Sequence, residues 1–346
     1  MSERVPIISA AQRWLPARAR LVLVAGLAAL LVAGAFVALV WMPYRGYAGD
    51  SRVIDVPRGT SVRSLARLLR QEGIVLSPLA FRTLVWLEGP LATVKAGRYE
   101  FRGTASLADV SRHLLEGNVV QLQVTIPEGL RLKEIVRLLA GQGLGQEQEL
   151  IQATRRTEWV KDLDPAALDL EGYLFPDTYR LASGISAEEV VRPMVERFRE
   201  VFGPAWTGRA GELGLSVRQV VTLASLIEEE TGAPEERPLI AAVFHNRLRQ
   251  RMRLQCDPTV IYALERDGLY RGFLTRKDLR HDSPYNTYVY GALPPGPISS
   301  PGREALQAAL YPANADYLYF VSMNTGRHFF SRQLRDHERA VQLYQR

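Results

Sequence analysis

Cysteine is almost missing from this chain: Cys256 is the only one in 346 residues. A single thiol rules out an intrachain disulfide and any cysteine-rich metal cluster. Histidine is sparse as well. His113, His245, His281, His328 and His337 include no H-x-x-x-H pair, so no zinc motif is present and neither a metal nor a cofactor is expected. A strong excess of one charge is also lacking, with 43 Lys+Arg against 37 Asp+Glu and a net charge of +6. That balance is too weak to indicate nucleic acid, and no groove-reading motif accompanies it; anionic lipid headgroups or cell-wall polymer remain compatible partners. With 47% hydrophobic and 23% charged residues, the chain is neither disordered nor collagenous nor wholly embedded in a membrane. Single cores stop growing at roughly 250–300 residues, so two or three compact units are expected.

Charge is absent altogether from Leu21 to Met42, where Leu, Val and Ala dominate. A helix of that length, at ~1.5 Å per residue, spans the hydrocarbon core of a bilayer. Pro43 ends the run. Arg4, Arg13, Arg18 and Arg20 precede it, against only Arg45 and Arg52 just beyond. The positive-inside rule then keeps residues 1–20 in the cytoplasm as a short tail and exports everything after Tyr44. A cleaved signal peptide is the competing reading. Its apolar region would be about 7–15 residues, and Val40, Trp41, Met42 and Pro43 make a poor cleavage site.

Three segments then repeat one pattern of extended stretch, turn and amphipathic helix. The first has Val53, Ile54, Val56, Pro57 and Gly59 ahead of Val62, Leu65, Leu68 and Leu69. The third, 70 residues on, has Val124, Ile126, Pro127 and Gly129 ahead of Leu132, Ile135, Leu138 and Leu139. Gly73 and Gly143 close the two helices as C-caps do. A weaker middle copy runs from Tyr99 through Gly103 to Leu107, Val110 and Leu114. The pattern suits a small α+β packing unit over 51–145. It also resembles LysM modules, which place a short strand before a helix and bind N-acetyl sugars. Residues 146–170 read as a polar, helix-prone connector. The aromatic cluster Tyr173, Phe175 and Tyr179, broken by Gly172 and Pro176, suits an edge strand or a cleft wall. Its rings could stack on sugars or anchor the core.

Residues 216–231 form one helix on paper, with Ser216 as N-cap and Gly232 as the stop. Val217, Val220, Val221 and Ala224 lead along one stripe onto Glu228. Leu223, Leu226 and Ile227 lead onto Glu230. The polar stripe of Gln219, Thr222 and Ser225 leads to Glu229, which is therefore expected to face water. A carboxylate on an apolar stripe is costly unless paired, protonated or used. A helix C-terminus also disfavours negative charge and raises a carboxyl's pKa, as a general acid requires. The plainer alternative is a fraying end held by Arg237 or Arg247. Farther on, 283–302 mixes five prolines with Tyr285, Asn286, Thr287 and Tyr288, which suits an ordered loop presenting phenol and amide groups to a ligand. Cys256, between Gln255 and Asp257, reads as a small buried residue rather than a nucleophile.

Several of these stretches together resemble the endolytic murein transglycosylase (MltG, YceG-like) family. They are 223–231 with its three glutamates, Glu236-Arg237, 243–248, 252–260 around Cys256, 285–288, 293–298, 317–321 and His328-Phe329. Ala96-Gly97-Arg98-Tyr99, Phe175-Pro176-Asp177-Thr178 and the single N-terminal anchor fit as well. The resemblance covers the chain from the membrane segment onward. It implies an α+β protein with a transmembrane helix at 21–42, a LysM-like domain at 51–145, a connector at 146–170 and a mixed α/β catalytic domain at 171–346. It further implies an enzyme on the inner membrane, facing the periplasm, that cuts nascent peptidoglycan glycan strands internally and limits their elongation. Glycan-polymerising enzymes become plausible partners by the same analogy. The family's catalytic acid, the second Glu of a Glu-x-Glu-Thr motif, falls on Glu230. The middle position, often Lys in relatives, is Glu229 here.

The resemblance implies that Glu230 protonates the oxygen joining N-acetylmuramic acid to N-acetylglucosamine, with help from the 2-acetamido oxygen. It then takes the proton of the sugar's own C6 hydroxyl as a 1,6-anhydro ring closes. Glu228, Gln255, Asp257, Tyr285, Asn286 and Tyr288 are the candidates for holding substrate or tuning Glu230. Two other readings stay open: a hydrolytic muramidase with Asp257 as second carboxylate, and a non-catalytic wall-binding scaffold built on the repeats.

Overall fold

In the computed structural model of the protein, residues 17–89 and 93–345 are described. The expected cytoplasmic tail lies outside them, except for 17–20, which open the first helix. That helix, α1 (Ala17–Trp41), carries 21 apolar residues from Leu21 to Trp41 and is long enough to cross a bilayer.

The chain forms two compact units, 1–120 and 121–346. After α1, the first unit runs β1 (Ser51–Val56), α2 (Val62–Gln71), α3 (Pro78–Leu87), β2 (Gly97–Arg102) and α4 (Leu107–Glu116). β1 and β2 pair antiparallel, with Ile54 opposite Tyr99. Alternation puts Ile54, Val56, Tyr99 and Phe101 on one face, where Leu65, Leu69, Phe81, Val110 and Leu114 of the helices cover them. Gly59 turns the chain from strand to helix at φ +75°, a conformation that a Cβ disfavours.

The second unit begins with β3 (Gln121–Thr125), followed by α5 (Leu132–Gly141), α6 (Glu147–Ala153), β4 (Thr178–Ala182), α7 (Ala187–Val201) and α8 (Pro204–Glu212). Next come α9 (Val217–Glu230), α10 (Arg237–Arg249), α11 (Asp257–Arg266) and α12 (Arg303–Leu310). The antiparallel hairpin β5 (Tyr319–Ser322) and β6 (His328–Ser331) and a last helix, α13 (Leu334–Tyr344), complete it. Helix and strand are thus mixed, as an α+β reading expects.

All three repeats adopt the strand–turn–helix form, but they do not share one unit. β3 of the third copy pairs antiparallel with β4, Val124 opposite Tyr179, so the break comes at Val120 and not after 145. The stretch read as a connector is likewise part of the second core, since Leu150, Val160 and Leu170 are fully buried there. The aromatic cluster is resolved the same way. Tyr173, Phe175 and Tyr179 are buried, and the Tyr173 hydroxyl donates to Asp164 while that of Tyr179 donates to the Phe175 carbonyl. These rings anchor the core and do not line a cleft.

Candidate active site

Helix α9 starts from a capping box. Ser216 Oγ accepts from the Gln219 amide at 3.2 Å, and Gln219 Oε1 accepts from the Ser216 amide at 2.9 Å. Its apolar stripes are buried as the periodicity predicts, but so are Thr222 and Ser225 of the polar stripe. Both hydroxyls are satisfied within the fold. Thr222 donates to the Arg218 carbonyl; Ser225 donates to that of Thr222 and accepts from the Ile298 amide. From Val220 to Ile227 the helix is therefore enclosed on every side. Glu229, expected in water, is half-buried close to Gly129, and burial raises its carboxyl above the usual range.

The three glutamates of the last turn diverge. Glu228 is bound inward: one oxygen accepts from Arg237 at 3.0 Å and the other from the Gly302 amide at 2.9 Å. Arg237 also reaches Glu304 at 2.7 Å. This cluster ties the end of α9 to the starts of α10 and α12, which explains a carboxylate at the end of an apolar stripe.

Glu230 points elsewhere. It lines a cleft of about 450 Å³ with Arg247, Gln255, Asp257, Tyr288 and His328. It also lines a second cleft of about 630 Å³ with Gly129, Arg131, Glu229 and Tyr270. Glu230 is the residue common to both linings. Burial pushes it up to about 7; the Cys256 thiol hydrogen bond and the Arg247 cation act against the rise, while the charges of Asp257 and Glu229 add to it. A carboxyl so placed holds a proton near neutrality and still reaches an open cleft.

Backbone geometry delivers the neighbours. Buried Arg247 donates to the Leu318 and Leu254 carbonyls, both at 2.7 Å, and so fixes the chain leaving α10. Gln255 follows at φ +51°, in the left-handed region that non-glycine residues rarely occupy. The Cys256 amide then donates to Thr287 Oγ1, and Asp257 opens α11. The Tyr288 hydroxyl donates to Asp257 Oδ1 at 2.6 Å, and burial raises the phenol far enough to keep it a donor.

Gln255, Asp257 and Tyr288 thus join Glu230 in one cleft, and Glu228 borders the other. Tyr285 and Asn286 do not line either cleft. Asn286 is completely buried; its amide donates to the Leu279 and His281 carbonyls, and its oxygen accepts from the Tyr288 amide. With these bonds made within the loop, it shapes the segment carrying Tyr288 and presents nothing to a ligand. Tyr285 packs against Tyr262, ring centroids 4.9 Å apart, with the Arg266 guanidinium 4.9 Å from its own centroid.

Sequence reasoning missed His328 as a site residue. Its Nδ1 lies 2.7 Å from Glu236 Oε2, and its amide donates to Oε1 at 2.9 Å. Glu236-Arg237 and His328-Phe329 both belong to the resembling motifs, but 92 residues separate the partners, and only the tertiary fold brings them together. Cys256, read as a small buried residue and not as a nucleophile, is buried, and its thiol hydrogen-bonds to Glu230.

The YceG-like family model matches residues 54–343. The endolytic murein transglycosylase of Bacillus subtilis strain 168 is 32% identical over 307 residues, which cover 84% of this chain and 84% of that protein. The endolytic murein transglycosylase of Streptococcus pneumoniae strain D39 is 29% identical over 318 residues, covering 83% of this chain and 57% of that longer protein. Among solved structures, a yceG-like protein of Listeria monocytogenes superposes with a TM-score of 0.57 at 31% identity, covering 84% of this chain and 99% of that one. A family match over most of the chain, in sequence and in fold, makes this protein a member of the YceG-like family.

Proposed function

We propose that this protein is an endolytic murein transglycosylase in which Glu230 is the catalytic acid and base. The supporting observation is a carboxyl raised to about 7 on the residue that two open clefts have in common. A glycan strand lying through both clefts would present an internal bond to Glu230, as endolytic cutting requires. Protonated Glu230 donates to the bridging oxygen. The C1–O bond breaks and its electron pair leaves with the N-acetylglucosamine O4, so positive charge develops at C1 of the muramic sugar. The C6 hydroxyl then attacks C1 and gives its proton to the Glu230 carboxylate, which restores the acid. Gln255, Asp257 and Tyr288 are the substrate-holding candidates left in the cleft. The catalytic unit needs no second carboxylate for this route, in contrast to ordinary glycosidases.

A hydrolytic muramidase is the second reading, and Asp257 in the same cleft is what favours it. Mass spectra of digested peptidoglycan separate the two. Transglycosylation gives anhydro ends about one water lighter than hydrolysed ones, and Glu230→Gln abolishes either by removing the acid, a loss of about 10²–10⁴-fold. Reducing-end products from wild type that vanish in Asp257→Asn would overturn the transglycosylase reading.

The same reading makes α1 a single-pass anchor with its N-terminus in the cytoplasm and both units exported, supported by the arginines before Leu21. It keeps the LysM-like module, for which an antiparallel strand pair with two helices, α2 and α3, between its strands speaks. Limiting strand elongation would bring the enzyme near those that polymerise glycan.

A further inference from the structure

Within the first unit, the helices of the globular module expose very different faces. The outward residues of α2 are Arg63, Arg67 and Arg70, and those of α4 are Asp109, Arg112 and Glu116. On α3 they are Leu79, Arg82 and Trp86, at i, i+3 and i+7, with Leu87 beside them. Trp86 is 77% exposed, Leu79 69% and Leu87 60%. Ordinary solvent does not call for an apolar stripe on one helix of a unit whose other helices are charged.

The position of α3 relative to α1 supplies the occupant. Val40 is buried in the core of the unit and Phe36 packs against it. Leu39 and Met42 share a small apolar cavity with Leu76, Ser77 and Ala80, at the start of α3. Trp41 shares a groove with Leu84 and Glu88, at its end, and with Arg112 and Glu116 of α4. The module therefore grips α1 from Phe36 onward, five residues before the apolar run stops at Trp41. At ~1.5 Å per residue that is about 7.5 Å inside the end of the span. Interfacial helices bury their apolar faces by about 5–10 Å.

We propose that the outward face of α3 (Leu79, Arg82, Trp86 and Leu87) lies in the headgroup–acyl boundary of the leaflet from which α1 emerges, so that the module rests on the bilayer surface. This rests on the anchor reading above. Trp86 takes the interfacial position that indole prefers, and Arg82 extends its guanidinium to lipid phosphate while its stem stays among the acyl chains. The membrane contact then has two elements, a span and a helix lying flat beside its end.

The test uses the full chain in phosphatidylcholine–phosphatidylglycerol vesicles, with some lipids brominated close to the headgroup. Difference fluorescence between wild type and Trp86→Phe isolates Trp86; difference fluorescence against Trp41→Phe isolates the end of the span. Expected is a blue-shifted Trp86 signal that loses most of its intensity to brominated lipid and little to aqueous acrylamide. Acrylamide quenching of Trp86 with brominated-lipid quenching of Trp41 overturns the proposal and leaves the anchor standing. Shielding of Trp86 from both quenchers also overturns it, because another protein copy then covers the face. If alkaline carbonate strips the chain from the vesicles and neither tryptophan is quenched by lipid, the anchor reading itself falls and the proposal with it.

Discussion

Glu230 couples catalysis and stability to pH through one proton. As a general acid it must be protonated, so kcat/KM is expected to fall about tenfold per pH unit above about 7. Stability carries the same sign. The folded state holds this proton more tightly than the unfolded chain, so the contribution is complete below about 4.5 and is lost as pH rises through about 7. Glu230→Gln does not titrate. Its stability relative to wild type should rise between pH 5 and pH 8 by on the order of 1–3 kcal/mol, read as a shift in urea midpoint at constant m-value. A flat difference across that range would mean that the carboxyl is ordinarily hydrated. Glu171, which burial pushes up to about 8, titrates with the same sign in both proteins and cancels in the comparison.

At the scale of the element, α9 shows what one-dimensional periodicity reveals and where it stops. The cap, the length and both apolar stripes were legible, because Ser216, Gln219 and the valine and leucine spacing report on the helix itself. The burial of Thr222, Ser225 and Glu229 was not. Small hydroxyls that bond back to their own helix can sit in a core at little cost, and nothing in their spacing reveals a loop laid over them. The same limit applies to Asn286, whose bonds are all made inside a loop that the helix pattern cannot describe. Removing the cap tests how much the helix owes to its first turn. Ser216→Ala should cost about 1 kcal/mol by leaving the Gln219 amide without its acceptor. Activity per folded molecule should stay unchanged, since the buried middle of the helix and the Glu228–Arg237 pair hold the far end that carries Glu230. Thermal melts beside single-turnover assays would separate the two.

Across the whole molecule, the repeats were visible as sequence but not as topology. A strand's partner is chosen by tertiary packing, and β3 finds β4 more than fifty residues away. Expression of fragments makes the consequence measurable. Residues 121–346 keep the β3–β4 pair and are expected to fold, with a cooperative melt. Residues 146–346, cut where the sequence pattern suggested a domain boundary, leave β4 as an open edge above an uncovered core, and they should aggregate. A soluble, cooperative 146–346 would show the pair to be dispensable.

The lone thiol has a practical consequence. Cys256 is almost completely enclosed, and burial lifts its thiol well above its ordinary range, so reagents that attack thiolates should pass it by. Dyes or spin labels attached to cysteines introduced on the surface would then report without background from the native residue. Distances across the two clefts could be followed in the working enzyme with its own chemistry left untouched.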